Sequence, residues 1–129
     1  MKSDSCICVD GDSVAALQAI RKAGHINGLV DESHFIVSIR RCAQCGQHFL
    51  SIFCERIDWA DGDDPQTWVV VPVSEDEVQR LKTANIAVDE NIIREVVGNE
   101  RRFLYHDMPK GTAETLAWRT GTLFIPAHD

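Results

Sequence analysis

Four cysteines in two close pairs are the residues of this chain best suited to chemistry. Cys42 and Cys45 are separated by two residues and followed by Gly46, and Cys6 and Cys8 are separated by one residue. A tight turn with the first spacing directs both sulfurs to one point, as half of a tetrahedral metal site requires. We therefore predict one structural Zn²⁺ bound by Cys6, Cys8, Cys42 and Cys45. Four thiolates leave no open coordination position, so the predicted ion stabilises the fold and does not activate water.

The sequence Cys-Ala-Gln-Cys-Gly at residues 42–46 resembles the knuckle of zinc-ribbon and rubredoxin-type proteins. The resemblance covers only this turn and the strand-like arms on both sides, and it implies a local metal-binding device. The glycine after the second cysteine often takes a positive φ, which lets backbone amides approach the sulfurs. At the amino terminus, an extended segment would direct the side chains of Cys6 and Cys8 to one side, and a short bend would bring their sulfurs together.

Three other residues could enter the ligand set. His25, just after Gly24, is the best substitute if one amino-terminal cysteine does not bind, whereas His48 would reach the knuckle only through a β-bulge. Cys54 lies about 30 Å along a straight strand from Cys45, and it is predicted to be a small buried apolar residue. A redox role for the Cys-x-x-Cys pair is disfavoured, because strand-like rather than helical residues follow it. The spacing does not distinguish zinc from iron.

The overall composition limits the class of protein. With 129 residues the chain is predicted to form a single domain, residues 1–129. Its net charge of -7 argues against general nucleic-acid binding, which requires clustered Lys and Arg. An odd count of five cysteines and an amino terminus without an apolar signal region predict a cytoplasmic protein with reduced thiols. No window approaches the roughly eighteen apolar residues of a membrane span.

Hydrophobic periodicity and turn residues predict an α+β fold, in which an antiparallel sheet contains the Cys-x-x-Cys hairpin and is joined by about three helices. The first predicted helix is capped by Asp12 or Ser13 and ends at Gly24. Its apolar face comprises Val14, Leu17 and Ile20.

The remaining elements follow from equally local signals. A second predicted helix follows the capping box of Ser74 and Glu77. A third spans residues 89–97 and stops at Gly98. The predicted strands are residues 34–41, 48–57, 68–73, 102–106 and 123–125.

The acidic segment around Gly62 is a second candidate site. Its carboxylates are Asp58, Asp61, Asp63 and Asp64. Asp-Gly and Asp-Pro are common turn sequences, so a solvated turn at residues 58–64 is the simplest interpretation. Alternatively the oxygens bind a divalent cation, although their order is not that of an EF-hand loop, or they form an anionic contact face flanked by Trp59 and Trp68.

Two residue groups near the carboxyl terminus invite functional interpretations. Adjacent strand residues point to opposite faces, so His106 and Asp107 are not expected to act as one catalytic unit. Tyr105, Trp118 and Arg119 could stack on a ligand, but aromatic residues in strands more often belong to the core.

These observations favour a non-enzymatic, zinc-stabilised module that binds another protein, as an adaptor, an accessory subunit or an inhibitor of a basic target. The alternative is a small metal-dependent hydrolase or transferase that uses the turn at residues 58–64, with His48 or His106 converging on it. A third hypothesis is nucleic-acid binding by the hairpin. It would require one shared face for Arg40, Arg41, Arg56 and Lys110.

Overall fold

The computed structural model describes residues 6–32, 34–55, 65–83, 90–98, 100–108 and 113–121. Its helices are α1 (Ile7–Asp10), α2 (Ser13–Arg21), α3 (Glu75–Lys82) and α4 (Glu90–Val97). Its strands are β1 (Gly24–Glu32), β2 (Phe35–Arg41), β3 (His48–Glu55), β4 (Gln66–Val73), β5 (Arg101–Met108) and β6 (Thr115–Gly121). The strands form one six-stranded antiparallel sheet in chain order. The predicted α+β class with an antiparallel sheet is therefore confirmed. No helix in the described part of the chain is long and apolar enough to cross a membrane.

One face of the sheet carries the larger apolar core, and α3 and α4 cover it. Alternate residues of the central strands project from this face, because successive side chains of a strand point to opposite sides. The buried cluster includes Val37, Ile39, Leu50, Ile52, Val69 and Val71 of the sheet and Val78, Leu81, Ile93 and Val97 of the helices. We call this side the α3–α4 face.

The opposite side, which we call the α2 face, carries a smaller core. Its buried cluster includes Phe49, Trp68, Val70 and Leu104 of the sheet, Leu17 and Ile20 of α2, and the candidate ligands Cys8 and Cys42. Because helices cover both faces, β3 and β4 are buried along almost their whole length. The predicted cysteine site therefore lies at the margin of the α2-face core.

Two helices begin at their predicted caps. The Asp12 carboxylate accepts a hydrogen bond from the N–H of Ala15 at 2.9 Å. Ser74 and Glu77 form the predicted capping box: the Ser74 Oγ accepts from the Glu77 N–H at 3.1 Å, and the Glu77 Oε1 accepts from the Ser74 N–H at 2.9 Å. Helix α4 ends before Gly98, as predicted, and the φ of 70° at this glycine suits a helix end.

The buried face of α2 differs from the prediction. Val14, predicted to be buried, is 56% exposed, whereas Ala16 is completely buried. Because successive residues of a helix are rotated by about 100°, a buried arc that contains Leu17, Ile20 and Ala16 turns Val14 toward solvent. The helix also ends before Gly24, because this glycine already begins β1.

The two edge strands were not predicted. Strand β1 shifts register between His25 and Asn27 and again between Gly28 and Val30, and such irregularities remove the alternation that marks a strand in a sequence. The residues of β6 are mostly exposed or half-buried, so it has no continuous apolar face. The predicted strand at residues 123–125 lies outside the described residues.

Candidate metal centre

The sulfur atoms of the four predicted ligands lie together. The Sγ atoms of Cys6 and Cys42 are 3.7 Å apart, and those of Cys8 and Cys45 are 3.6 Å apart. All four lie within 4.8 Å of one another. A tetrahedral site with Zn–S bonds of about 2.3 Å has S–S separations of about 3.8 Å, whereas a disulfide bond is about 2.05 Å long. The four free thiols therefore match the dimensions of a metal site.

The turn between β2 and β3 has the conformation expected of a metal-binding knuckle. Gly46 has a φ of 78°, and its N–H donates to the carbonyl of Cys42 at 2.9 Å. A Cβ atom at this position would lie 3.4 Å from Nη2 of Arg41. That separation is an ordinary contact, so glycine is favoured here by the left-handed backbone.

Backbone amides favour negative charge on one of the knuckle sulfurs. Burial raises the pKa of the Cys42 thiol, but hydrogen bonds from the N–H groups of Cys45 and Gln44, together with those from the thiols of Cys6 and Cys8, lower that pKa to about 7. For Cys45, burial raises the pKa and a hydrogen bond from a backbone N–H opposes the rise. The knuckle thus supplies donors to the sulfurs, which stabilise the thiolates that a metal requires.

The amino-terminal pair belongs to a helical turn, not to the predicted extended segment. Helix α1 spans Ile7–Asp10, and the carbonyl of Cys6 accepts a hydrogen bond from the N–H of Val9 at 3.0 Å. This turn brings each of the two sulfurs to a different knuckle cysteine. Burial raises the pKa of the Cys8 thiol, and hydrogen bonds with the other three thiols raise it further. A thiolate at this completely buried position would therefore need a cation beside it.

Long-range hydrogen bonds connect the amino-terminal segment to β5 and β6. The Arg102 Nη1 donates to the carbonyl of Val9 at 2.5 Å, and the Trp118 Nε1 donates to the carbonyl of Gly11 at 3.1 Å. The guanidinium carbon of Arg102 also lies 3.8 Å from the centroid of the Trp118 ring. Trp118 therefore anchors the segment to β6. Sequence reasoning missed this role, because donor and acceptor are 107 residues apart.

Two of the three alternative ligands, His48 and Cys54, do not join the cluster. In the described part of the structure, the group of potential metal ligands comprises the four cysteines alone, and His48 lies outside it. The side chain of His25 is not among those that the structure describes. Cys54 is buried in the core of the α3–α4 face, as predicted for a small apolar residue.

The acidic turn that is the second candidate site lies outside the described residues, and so does Trp59. Its carboxylates are Asp58, Asp61, Asp63 and Asp64. Trp68, on the other flank of this turn, is described and belongs to the core of the α2 face. Its Nε1 donates to the Oγ of Ser51 at 2.6 Å.

His106 is a buried polar residue of the α2 face. Its side chain is 3% exposed, and its Nε2 forms a hydrogen bond with a carboxylate oxygen of Glu114. Its Nδ1 is buried without a hydrogen-bond partner in the described chain. The neighbouring Asp107 accepts a hydrogen bond from the Oγ1 of Thr67 at 2.8 Å. His106 and Asp107 thus have separate partners, as expected for adjacent strand residues.

A cleft of about 920 Å³ lies beside the cysteine cluster, and its lining includes Cys6, Cys45, Arg41, His48, Glu77 and Arg101. Arg101 pairs with both carboxylate oxygens of Glu77, at 2.5 and 3.2 Å, and donates to the carbonyls of Pro72 and Val97. Burial would raise the pKa of Glu77, but Arg101 and the hydrogen bonds from Ser74 hold it below its ordinary value. This charged pair therefore ties α3 and α4 to the sheet.

The two arginines before the knuckle do not share a face. The guanidinium carbon of Arg40 lies 5.4 Å from the centroid of the Trp68 ring on the α2 face. Arg41 is exposed and lies beside Gly46. The hairpin therefore does not present these two charges together, and Arg56 and Lys110 lie outside the described residues.

Comparison with known proteins assigns no family. No family model, no curated protein and no solved structure matches this chain. Functional inference therefore depends on the geometry and chemistry of the described residues.

Proposed function

We propose that this protein is a non-enzymatic module, stabilised by one Zn²⁺ at Cys6, Cys8, Cys42 and Cys45, that acts by binding another protein. One observation carries the zinc proposal: four sulfurs from two segments of the chain lie within 4.8 Å of one another. Paired cysteines that are 36 and 37 residues apart in sequence are in contact. Thiolate ligands in tetrahedral geometry are typical of zinc and of iron–sulfur centres, and zinc is the common ion of structural four-cysteine sites.

The ligand set supports a structural rather than a catalytic ion. Four sulfur ligands fill a tetrahedral coordination sphere and leave no position for substrate or water. The charged pair in the neighbouring cleft, Glu77 and Arg101, is engaged in contacts between helix and sheet. The zinc would instead connect Cys6 and α1 to the β2–β3 turn.

Elemental analysis tests the zinc proposal. We expect about one zinc per chain in protein purified under reducing conditions, and loss of that zinc in Cys42→Ser. Cys54→Ser is the matched control, because it removes an equally buried thiol that lies outside the cluster. Iron in place of zinc would contradict the choice of metal. Wild-type protein that takes up no metal from a zinc-supplemented buffer would contradict the site itself.

The acidic character of the chain supports a partner with a basic surface. The net charge is -7, and residues 58–64 contribute four of the carboxylates in one short stretch. Opposite charge steers association and favours specific partners over nonspecific ones. We therefore propose this segment as part of the contact region.

Affinity capture with matched charge variants tests the partner proposal. Asp63→Asn/Asp64→Asn removes two charges from the proposed contact region, and Glu75→Gln/Asp76→Asn removes two exposed charges at the start of α3. We expect zinc-loaded wild type to retain a stoichiometric partner, the first variant to weaken that complex, and the second to leave it intact. Equal weakening by both variants would refute the contact region. Absence of any stoichiometric partner would refute the protein-binding function.

A further inference from the structure

A second cavity, of about 480 Å³, lies on the α2 face at the carboxyl-terminal end of α2. Its lining includes Arg21, Ser38, Arg40, Ser51, Phe53 and Trp68, and we call it the Trp68 cleft. It is separate from the cysteine cluster, since no cysteine lines it. Its volume lies in the range of small-molecule sites, about 300–1,000 Å³.

Two guanidinium groups border the Trp68 cleft, and neither has a carboxylate partner among the residues that the structure describes. The guanidinium carbons of Arg40 and Arg21 lie 5.4 and 5.9 Å from the centroid of the Trp68 ring. Arg40 donates from Nη1 to the carbonyl of Ile20 at 3.4 Å, and its buried Nε has no hydrogen-bond partner within the described residues. Neither arginine forms an ion pair with a carboxylate of the described chain.

This arrangement is unusual for a chain with a net charge of -7. Burial lowers the pKa of Arg40, which shows that its cation is partly removed from water. A desolvated charge without a counter-ion is costly, and contact with an indole ring offsets only part of that cost. An anion placed in the cleft would therefore gain more free energy than an anion at the open surface.

An acidic residue of the same sheet face, Glu55, is engaged by other side chains. Glu55 follows Phe53 by two residues in β3, so the two side chains project from the same side. The carboxylate of Glu55 accepts hydrogen bonds from Gln66 at 2.8 Å and pairs with Nδ1 of His34 at 3.0 Å. The hydrogen bonds from Gln66 and His34 lower the pKa of Glu55.

Hydroxyl groups and an apolar wall complete the cleft. The Ser51 Oγ accepts the Trp68 indole N–H, so its own hydrogen remains available for another acceptor. Ser38, directly opposite Ser51 in the β2–β3 pairing, has no side-chain hydrogen bond in the described chain. The next pair of residues on the same face is Ile36 and Phe53, and Ile36 is 37% exposed. Cationic and hydroxyl donors thus lie beside an apolar surface.

We propose that the Trp68 cleft binds a small organic carboxylate, with its charged group between Arg21 and Arg40 and its apolar body against Ile36 and Phe53. The planar fork of a guanidinium matches the two oxygens of a carboxylate. A dianionic phosphate ester would be repelled more strongly by the negative net charge of the chain. This ligand site goes beyond the proposed partner binding and does not depend on it.

An NMR titration tests this site by following the indole N–H resonance of Trp68. The variant Trp68→Phe assigns that resonance. The probes are phenylacetate, the neutral phenylacetamide and phenyl phosphate, added to the full zinc-loaded chain. We expect a saturable shift with phenylacetate and none with phenylacetamide at the same concentrations. Equal shifts with both would show that the arginines play no part, and no shift with phenylacetate would refute the site. Tighter binding of phenyl phosphate would refute the carboxylate class.

Variants that each remove one positive charge test whether phenylacetate binds beside Arg21 and Arg40. Arg21 is exposed, so Arg21→Gln is expected to fold and to weaken phenylacetate binding about three- to five-fold. Lys22→Gln removes the same charge from the adjacent exposed residue, which does not line the cleft, and is expected to leave binding unchanged. Arg40→Gln is expected to weaken binding about ten-fold or more. Equal weakening by Arg21→Gln and Lys22→Gln would indicate attraction by overall charge and overturn the proposal.

Discussion

On the α3–α4 face the helices meet the sheet through aliphatic side chains, whereas on the α2 face the amino-terminal helices also meet it through thiols, a guanidinium and an indole. The first face buries a contiguous cluster to which both helices contribute. On the second face, α1 has four residues and is connected to the rest of the molecule by Cys6, Cys8 and hydrogen bonds from Arg102 and Trp118.

This difference shows two ways in which one sheet can hold its helices. Apolar burial stabilises roughly in proportion to the area removed from water and needs no ligand. A four-residue helix cannot bury enough area to remain folded by itself. Helix α1 is therefore held largely by directional interactions, and its stability is expected to depend on the proposed ion.

The largest expected effect comes from removing the metal. Structural zinc contributes on the order of 10 kcal/mol to the folding of zinc-finger peptides. A zinc chelator is therefore expected to abolish amide-exchange protection in α1 and the β2–β3 turn, and to reduce it in α2. The α3–α4 face should keep its protection. Hydrogen-exchange mass spectrometry measures both regions at once, and unchanged protection of α1 after metal removal would show that the two faces do not differ in this way.

Truncating a side chain in the core of the α3–α4 face should lower the free energy of unfolding without changing the zinc content. Ile52 is completely buried in that core, so Ile52→Ala is expected to lower the free energy of unfolding by about 2–5 kcal/mol. Zinc content should stay at the wild-type value. Val14→Ala, at an exposed position of α2, is the control and should change stability by less than about 0.5 kcal/mol. Denaturant unfolding and metal analysis on the same samples give the two readouts.

The ion pair of Glu77 and Arg101, which links α3 to β5, makes the stability of the protein depend on pH. The pKa of Glu77 is lowered from its ordinary value of 4.5, because Arg101 and Ser74 outweigh the effect of burial. A carboxyl group with a lowered folded-state pKa stabilises the protein above its unfolded-state pKa, and the gain is lost as pH falls through the folded value. Glu77→Gln should thus be about 1–3 kcal/mol less stable than wild type at neutral pH.

The difference between wild type and Glu77→Gln should shrink below pH 4.5 and vanish once Glu77 is protonated. Asp76→Asn is a suitable comparison, because Asp76 is exposed in the same helical turn. A stability gap between wild type and Glu77→Gln that stays constant from neutral pH down to strong acid would contradict the assignment.

The smallest expected effect concerns the knuckle glycine. Gly46 has a φ of 78°, so Gly46→Ala is expected to cost about 1–2 kcal/mol and to weaken zinc affinity measured by chelator competition. Gly28→Ala is the matched control, because no atom lies within 4 Å of a Cβ added there and its φ is not positive. If both variants lower zinc affinity equally, the knuckle conformation is not what positions the sulfurs.

Much of this fold can be predicted from short stretches of sequence. The capping box of Ser74 and Glu77 and the runs of apolar residues in β2, β3 and β4 are local signals, and the structure contains the elements that they predict. The knuckle at residues 42–46 is equally local, because its glycine and its cysteine spacing act within one turn. The four cysteines could be proposed as one set by chemistry, since two pairs supply one tetrahedral ion.

Other features depend on contacts between residues that are distant in sequence. Strands β1 and β6 lack alternation, and they exist because neighbouring strands supply hydrogen-bond partners. Arg102 and Trp118 donate hydrogen bonds to the amino-terminal segment across 93 and 107 residues of sequence. The two arginines beside Trp68 come from α2 and β2. Local sequence determines which elements can form, because capping and periodicity act within a few residues. Only the tertiary structure decides which charges, thiols and aromatic rings come into contact, because the residues in contact lie far apart in sequence.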